Sequence, residues 1–395
     1  MRVLMVAPTP FFGDRGCHVR ILEQVRALRR HDVETLVATY HVGRDVPGAP
    51  TARTVRLPWV RRLPVGFSVH KPYLDLLLLA AAVRAGRRFR PDVVHGHLHE
   101  GAALAVLLGR LLGRPAVADL QGSLTGELVD HHTIPARGPM PALARAFERA
   151  IVRGPARLLA SSASFARELS DRWGGGERVV ALPDGVDPEV FRPGLPADDL
   201  RRALGLEGRR VVVFLGVLTQ YQGVDDLLAA WPAVAAAAPD AHLLLMGYPN
   251  EARYRDAVAR AGLEASVTLT GRIDYREAPR YLALGDVAVS PKRSATEANG
   301  KLLNYMATGL PTIAYDGPIS REILGEAGIF VPLGDTTALT AACVALLGDG
   351  GERKWRGQAL RERAVGDFGW PALAGRLVEV YRDAQLRFAG GRRTR

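Results

Sequence analysis

The feature that most constrains this chain is an alternation that runs through it twice: short, nearly continuous apolar runs separated by helical patterns. Val3–Ala7, Glu34–Thr39, Asp92–His95, Ala116–Asp119 and Leu158–Ser161 read as strands, and His18–Arg29, Leu74–Arg88, Ala102–Leu112 and Pro141–Val152 read as helices between them. Strands that are apolar along their whole length need cover on both faces. Intervening helices supply it, which predicts a parallel sheet. The pattern restarts with Val211–Leu215, His242–Met246, Val267–Leu269, Val287–Ser290 and Thr312–Tyr315. Between the two series, Leu182–Pro196 holds four prolines and two glycines, the composition of a linker. The expectation is an α/β chain of two doubly wound parallel-sheet domains, 1–190 and 191–369, with a last helix over 370–388 packing back on the first. Ligands of such sheets bind outside the carboxyl ends of the strands, so two such domains are expected to face an interdomain cleft.

The bulk properties exclude several classes. A chain of 395 residues, 48% hydrophobic and 24% charged, has the balance of a soluble globular protein of two to three domains. Cys17 and Cys343 are far apart and match no ligand spacing, which speaks against a cysteine zinc site or a disulfide framework and for a reducing compartment. The apolar start Met1–Ala7 is too short for a signal peptide, and the longest apolar run, Leu76–Val83, is too short to span a bilayer, so a cytoplasmic protein is expected. Of the 52 basic residues four are lysine, which leaves 48 arginines; that preference reads as a genome-wide codon bias and weakens any inference from the net charge of +11. No basic stretch interleaved with aromatics suggests nucleic acid. Residues 1–190 carry 26 Lys+Arg against 18 Asp+Glu, or +8, and the rest 26 against 23, or +3. Any peripheral contact with the inner face of a membrane therefore belongs to the first half, where Arg53, Arg56, Arg61, Arg62, Arg84, Arg87, Arg88 and Arg90 fall. A solvated face is the simpler reading of those arginines.

The chemistry is expected in Ser290–Gly309. This stretch follows the apolar strand Val287–Ser290 and enters a helix near Gly300 that stops at Gly309, before Pro311. A strand, a polar loop and a helix start make an anion site, because the first-turn N–H groups and the positive dipole end favour phosphate. Lys301 and Asn304, three apart, share one helix face, while Leu302, Leu303 and Met306 can face a core. Lys292 and Lys301 are two of the four lysines and lie within ten residues of each other. A compact ammonium can follow a phosphate charge as a forked guanidinium does not. The stretch reads equally as an ordinary connection with solvated charges.

Other loops would line the cleft. Pro10–Gly16 follows the first strand with Gly13, Arg15 and Gly16 ahead of a helix; it lacks the dinucleotide fingerprint and reads equally as a tight turn. His95, His97 and His99 alternate, and would share one side as metal ligands if the strand persisted. The favoured alternative ends the strand near His95 and leaves His97 and His99 in a loop bonding a polar ligand. Nine of the ten histidines precede residue 133, so this half is equipped for hydroxyl-rich or proton-exchanging partners. Ala118–Gly126 brings Gln121 after the next strand. Gly216–Gly223, with Gln222, follows a strand at the corresponding place in the second half.

With these pieces placed, the chain resembles the family 4 glycosyltransferases. The resemblance covers nearly the whole length and rests on Leu182-Pro-Asp-Gly-Val-Asp187, Gly271-Arg-Ile273, Tyr281-Leu-Ala-Leu-Gly-Asp286, Glu297–Thr312, Arg321-Glu-Ile323 and Phe368-Gly-Trp370 in order and spacing. It implies a GT-B fold of two Rossmann-like domains and retaining transfer of a sugar from a nucleotide-diphosphate sugar to a hydroxyl acceptor. The second domain would hold the donor and the first the acceptor. Glu297 is similar to the family glutamate beside the reacting carbon, and Glu297 with Lys301 are the expected catalytic residues. Gly216, Gln222, Gly271, Arg272, Ile273, Lys292, Asn299, Gly300 and Asn304 are expected at the donor; Gly13, Arg15, Gly16, His97, His99 and Gln121 at the acceptor.

There are departures. The second family glutamate, for ribose hydroxyls, corresponds to Asn304, one residue closer than usual. The arginine and lysine that neutralise the diphosphate correspond to Val217 and Gln222, so Lys292 and Lys301 are expected to take over that role. The histidine after the fourth strand corresponds to Gln121. No Asp-x-Asp motif is present, so no metal and no cofactor beyond the donor is expected. The competing readings are a sugar-nucleotide epimerase or phosphorylase on the same fold, a degenerate sugar-nucleotide-binding protein, and a metalloenzyme on His95, His97 and His99. The sugar, the nucleotide and the acceptor stay open.

Overall fold

A computed structural model of the chain describes residues 1–13, 16–63, 68–130, 133–293 and 299–393. Contacts divide it into two compact units, Met1–Gly185 with Trp370–Arg395, and Val186–Ala295 with Asn299–Gly369. In the first, the chain runs β1 (Arg2–Ala7), α1 (Gly16–Arg29), β2 (Glu34–Thr39), β3 (Thr51–Arg53), α2 (Lys71–Phe89), β4 (Val93–His97), α3 (Leu98–Leu112), β5 (Ala116–Leu120), α4 (Leu124–Asp130), α5 (Pro139–Arg153), β6 (Arg157–Ala160), α6 (Ala163–Asp171) and β7 (Val179–Ala181). The second runs α7 (Asp198–Ala203), β8 (Arg210–Leu215), α8 (Val224–Ala237), β9 (Ala241–Met246), α9 (Glu251–Arg260), β10 (Val267–Gly271), α10 (Ala278–Leu282) and β11 (Val287–Ser290). It continues with α11 (Lys301–Ala307), β12 (Thr312–Tyr315), α12 (Pro318–Leu324), β13 (Ile329–Val331), α13 (Thr336–Gly348) and α14 (Gly350–Phe368). The last helix, α15 (Trp370–Arg393), belongs to the first unit and packs on α1.

The sheet orders are β3-β2-β1-β4-β5-β6-β7 and β10-β9-β8-β11-β12-β13, with every neighbouring pair parallel. Each sheet reverses its winding once, between β1 and β4 in the first unit and between β8 and β11 in the second. The loops leaving those four strands are where such a sheet offers a ligand its crevice. Strand alternation explains the packing. Val211 and Val213 enter the core shared with α11 and α14, while Val212 and Phe214 enter the core under α8 and α13.

The three-residue edge strands β3, β7 and β13 carry no long apolar run, so the alternation did not announce them. Helix α8 passes through Pro232 to Ala237; alanines on both sides offset the one hydrogen bond that proline removes. Strand β4 continues past His95, because Gly96 and His97 pair with Ala118 and Asp119 of β5.

A buried ion network ties the first unit together. Arg20 of α1 donates from Nε and Nη2 to the two oxygens of Asp119, each at 2.8 Å. It also reaches Asp184 at 2.7 Å and the carbonyl of Leu182 at 2.9 Å, and Gln24 donates to Asp119 at 3.0 Å. Burial by itself would raise the Asp119 pKa; the Arg20 guanidinium outweighs it and holds that carboxyl well below the usual carboxylate range. Asp119→Asn is expected to destabilise the protein by about 3–5 kcal/mol in guanidinium unfolding, since it leaves the fully buried Arg20 short of a counter-charge; a loss below about 1 kcal/mol would contradict the role given to the pair.

Candidate functional site

In the second unit, glycine is what lets the loops after β8 and β11 close on one another. Gly223 has φ +76, and a Cβ there would stand 1.9 Å from the Pro291 carbonyl oxygen. The Arg293 N–H donates to the Tyr221 carbonyl at 3.0 Å, which ties the loops a second time. At their junction Lys301, the first residue of α11, donates from Nζ to Gln222 Oε1 at 2.6 Å. The ammonium also lies 4.3 Å from the centroid of the Phe214 ring, at the end of β8. Gly216 leaves room for it, because a Cβ at that position would sit 2.9 Å from Nζ. Gly216, Gln222 and Lys301, named separately from the sequence, are thus in direct contact.

The remaining donor candidates surround this group unevenly. Lys292 is 8% exposed, with its ammonium 5.6 Å from the Tyr221 ring centroid. Asn299 is buried and donates to Ser290 Oγ at 3.1 Å, holding the loop that leads into α11. Gly300 already has helical dihedrals, and Asn304 follows Lys301 by three residues on the same short helix. Gly271 ends β10 with φ +70, two strands away from β8. Next to it, Arg272 lies over the Tyr248 ring at 5.2 Å. Ile273 packs its half-buried side chain against the apolar core of the unit. Glu297 and Arg15 lie outside the described residues.

In the first unit the loop after β1 is fixed by His18. The Gly13 N–H donates to His18 Nδ1 at 2.8 Å, so the ring proton sits on Nε2, which meets Thr9 Oγ1 at 2.5 Å. Gly16 opens α1, and an added Cβ there would meet nothing within 4 Å, so no steric demand requires glycine. His95 and His97 stack with ring centroids 4.3 Å apart on one side of β4. His95 Nδ1 meets the Tyr381 hydroxyl of α15 at 2.7 Å, and burial pushes its pKa well below the ordinary histidine value. His97 Nδ1 approaches Asp119 Oδ2 at 3.3 Å. Its Nε2, like the Gln121 Nε2 beyond β5, is buried without a hydrogen-bond partner among the described residues. A hydroxyl-bearing ligand would satisfy such groups, which are costly to leave unpaired.

His99 departs from the expectation. Leu98, at φ +63, turns the chain into α3, so His99 is helical and buried and faces Glu148 at 3.3 Å. Glu148 also accepts from Ser123 Oγ and from the N–H groups of Leu124 and Thr125, so His99 belongs to the packing of α5 against the start of α4. The third group beside His95 and His97 is Asp119, with ligand atoms within 4.8 Å of one another. Arg20 holds both of its oxygens and places a fixed positive charge where a metal ion would need to sit, which disfavours a metal there. Sequence reasoning did not pair Arg20 with Asp119. The available signal was a carboxylate inside a strand that is otherwise apolar.

Comparisons with known proteins bear on the family and the fold. The family model described as Glycosyltransferase Family 4 matches residues 15–190, and the one described as Glycosyl transferases group 1 matches residues 209–349. The 2-deoxystreptamine N-acetyl-D-glucosaminyltransferase of Streptomyces fradiae is 30% identical over 97% of this chain and 94% of its own length. Glycogen synthase of Mycobacterium tuberculosis is 26% identical over 96% of this chain and 94% of its own. Among solved structures, sucrose-phosphate synthase from Thermosynechococcus elongatus shares the fold with a TM-score of 0.81 at 19% identity, covering 96% of this chain and 98% of that one. The chain belongs to glycosyltransferase family 4, and its two parallel-sheet units are those of the GT-B fold. It is a sugar transferase of the hexosyltransferase type.

Gly216→Ala puts a methyl group against the Lys301 ammonium. The expected result is a drop in kcat/KM of roughly tenfold or more, since displacing a positioned group by about 1 Å can cost ~10²-fold, with some loss of melting temperature because the backbone at φ +157 suits glycine. Wild-type kinetics would show that the close approach at Gly216 is irrelevant to catalysis.

Proposed function

We propose that the second unit holds the diphosphate of a nucleotide-diphosphate sugar and that the first presents a hydroxyl acceptor, the sugar being transferred with retention of configuration. The observation that carries this is the 2.6 Å bond from Lys301 Nζ to Gln222 Oε1. Gln222 stands where the resemblance expects a lysine. The positive charge missing from the loop after β8 is supplied at the same point from α11. Lys301 then neutralises charge on the departing diphosphate, with Lys292 as the second cation and Gly216 as the backbone that gives the phosphate room. Asn304 is assigned to the ribose hydroxyls and Glu297 to the transferred sugar. His97 and Gln121 are assigned to the acceptor side.

In the proposed step the bond from the anomeric carbon to the diphosphate oxygen breaks, and the acceptor oxygen forms the new bond on the same face. The acceptor's proton passes to an oxygen of the leaving phosphate. The chain supplies position and electrostatic stabilisation rather than a covalent nucleophile. With ammonium groups on the diphosphate, no metal is assigned to the reaction. No helix among the described residues is long and apolar enough to cross a membrane, and any membrane contact is assigned to the surface of the first unit.

Three measurements test this. UDP, GDP, TDP and their sugars are screened for thermal stabilisation; the matching nucleotide at about 100 times its Kd adds ~2.7 kcal/mol, and no stabilisation by any of them would overturn the donor assignment. With the donor so found, Lys301→Ala is expected to lower kcat by roughly 10²–10³-fold while the fold melts as before, and NMR of the product should show the donor's anomeric configuration. Binding without transfer to any acceptor would favour the degenerate sugar-nucleotide-binding reading, and an inverted product would exclude the same-face step.

A further inference from the structure

On one side of the first unit, α2 packs against α3 and α3 against α5, which makes a continuous helical layer. Its outer surface is unlike the rest of the unit. Helix α5 buries only Pro141, Glu148, Ile151 and Val152, and turns Met140, Leu143 and Phe147 to solvent beside Arg145 and Arg149. Leu143 is 73% exposed, a position that burial against this chain cannot explain. Helix α3 adds Leu107 and Leu111 with Arg110, and α2 adds Leu76 with Arg84, Arg87 and Arg88. Apolar side chains and arginines therefore alternate across three neighbouring helices.

Carboxylates are missing from this outer surface. Asp75 of α2 accepts the Tyr40 hydroxyl at 2.5 Å, Glu100 of α3 pairs with Lys71, and Glu148 of α5 is fully buried. Those are the only acidic residues on the three helices, and all have inward partners. The arginine-rich composition does not explain the segregation, because α15 in the same unit mixes signs, with exposed Glu379 near Arg382 and a 3.0 Å pair between Arg387 and Asp383.

We infer that the α2–α3–α5 layer docks on an anionic lipid surface, with leucine, methionine and phenylalanine entering the interfacial region and arginines meeting the headgroups. Charge complementarity selects this occupant. A second copy would bring arginines against arginines. A nucleic acid would leave the aliphatic side chains without a partner, and the layer offers no row of aromatic platforms for bases. The inference extends the acceptor side of the proposed transfer to substrates held at a membrane, and its test is independent of the donor chemistry.

The test is co-sedimentation of the purified full-length chain with phosphatidylcholine vesicles that contain or lack phosphatidylglycerol. Binding is expected only with phosphatidylglycerol and should weaken as salt rises. Arg145→Glu with Arg149→Glu should lower partitioning by roughly thirtyfold or more, about a kilocalorie's factor for each charge removed, and Leu143→Glu with Phe147→Glu should abolish it. Arg382→Glu on α15 should change nothing. Phe147→Trp provides a readout that tolerates the loss of a variant to misfolding: its emission should move to shorter wavelength on anionic vesicles. Nucleotide-induced thermal stabilisation is measured on the same variants and should be unaltered, which separates failure here from failure of the donor assignment. Equal binding to both vesicles, no binding, unaltered binding by the Leu143→Glu and Phe147→Glu variant, or a stable dimer dispersed by that variant would each overturn the inference.

Discussion

Everything assigned to the second unit depends on where one ammonium group is held. Lys301 is the first residue of a short helix, yet its side chain is directed across the sheet's winding reversal, over the Phe214 ring and onto the Gln222 amide. A glutamine carbonyl carries no formal charge, so this bond fixes where the ammonium sits. An aromatic face and a neutral amide help to hold the ammonium in position, and a positioned cation is what the role proposed for it at a departing diphosphate calls for. The glycines at 216 and 223 are the steric condition for this: one leaves space for the ammonium, and the other lets the loop after β8 lie against Pro291.

The first unit is built on the opposite solution. Arg20 is fully committed to Asp119, Asp184 and a backbone carbonyl, so its charge is consumed in holding α1, β5 and the segment after β7 together. Polar groups remain beside this network, the His97 Nε2 and the Gln121 Nε2, buried and without a hydrogen-bond partner among the described residues. The second unit thus positions a lysine ammonium at its loop junction, and the first places neutral hydrogen-bonding groups beside its ion network. The proposed division between donor and acceptor sides rests on that difference in chemistry.

Much of this was legible in the sequence because parallel sheets leave a strong trace. Strands such as Val287–Ser290 and Thr312–Tyr315 are apolar along their length and bounded by turns, so they could be placed to the residue. The edge strands could not, since three residues with half-buried side chains carry no periodicity. Lys301 was legible as a site residue from its rarity and its place at a helix start. Its bond to Gln222 was not, because 79 residues separate the two and only the folded loops bring them together. His99 was expected in a loop, but the left-handed dihedral at Leu98, just after the last strand residue His97, turns it into α3 and toward Glu148.

The most direct measurement moves the charge rather than removing it. Lys301→Gln alone should lose most of its turnover, and adding Gln222→Lys to it should return the ammonium to nearly the same point from the neighbouring loop. Recovery of kcat by at least about tenfold in the double variant over Lys301→Gln is the predicted result, since the two side chains share one contact and their effects should be strongly non-additive. Equal loss in the single and double variants, with both folded and both binding nucleotide, would show that the location of this charge is not what the site depends on.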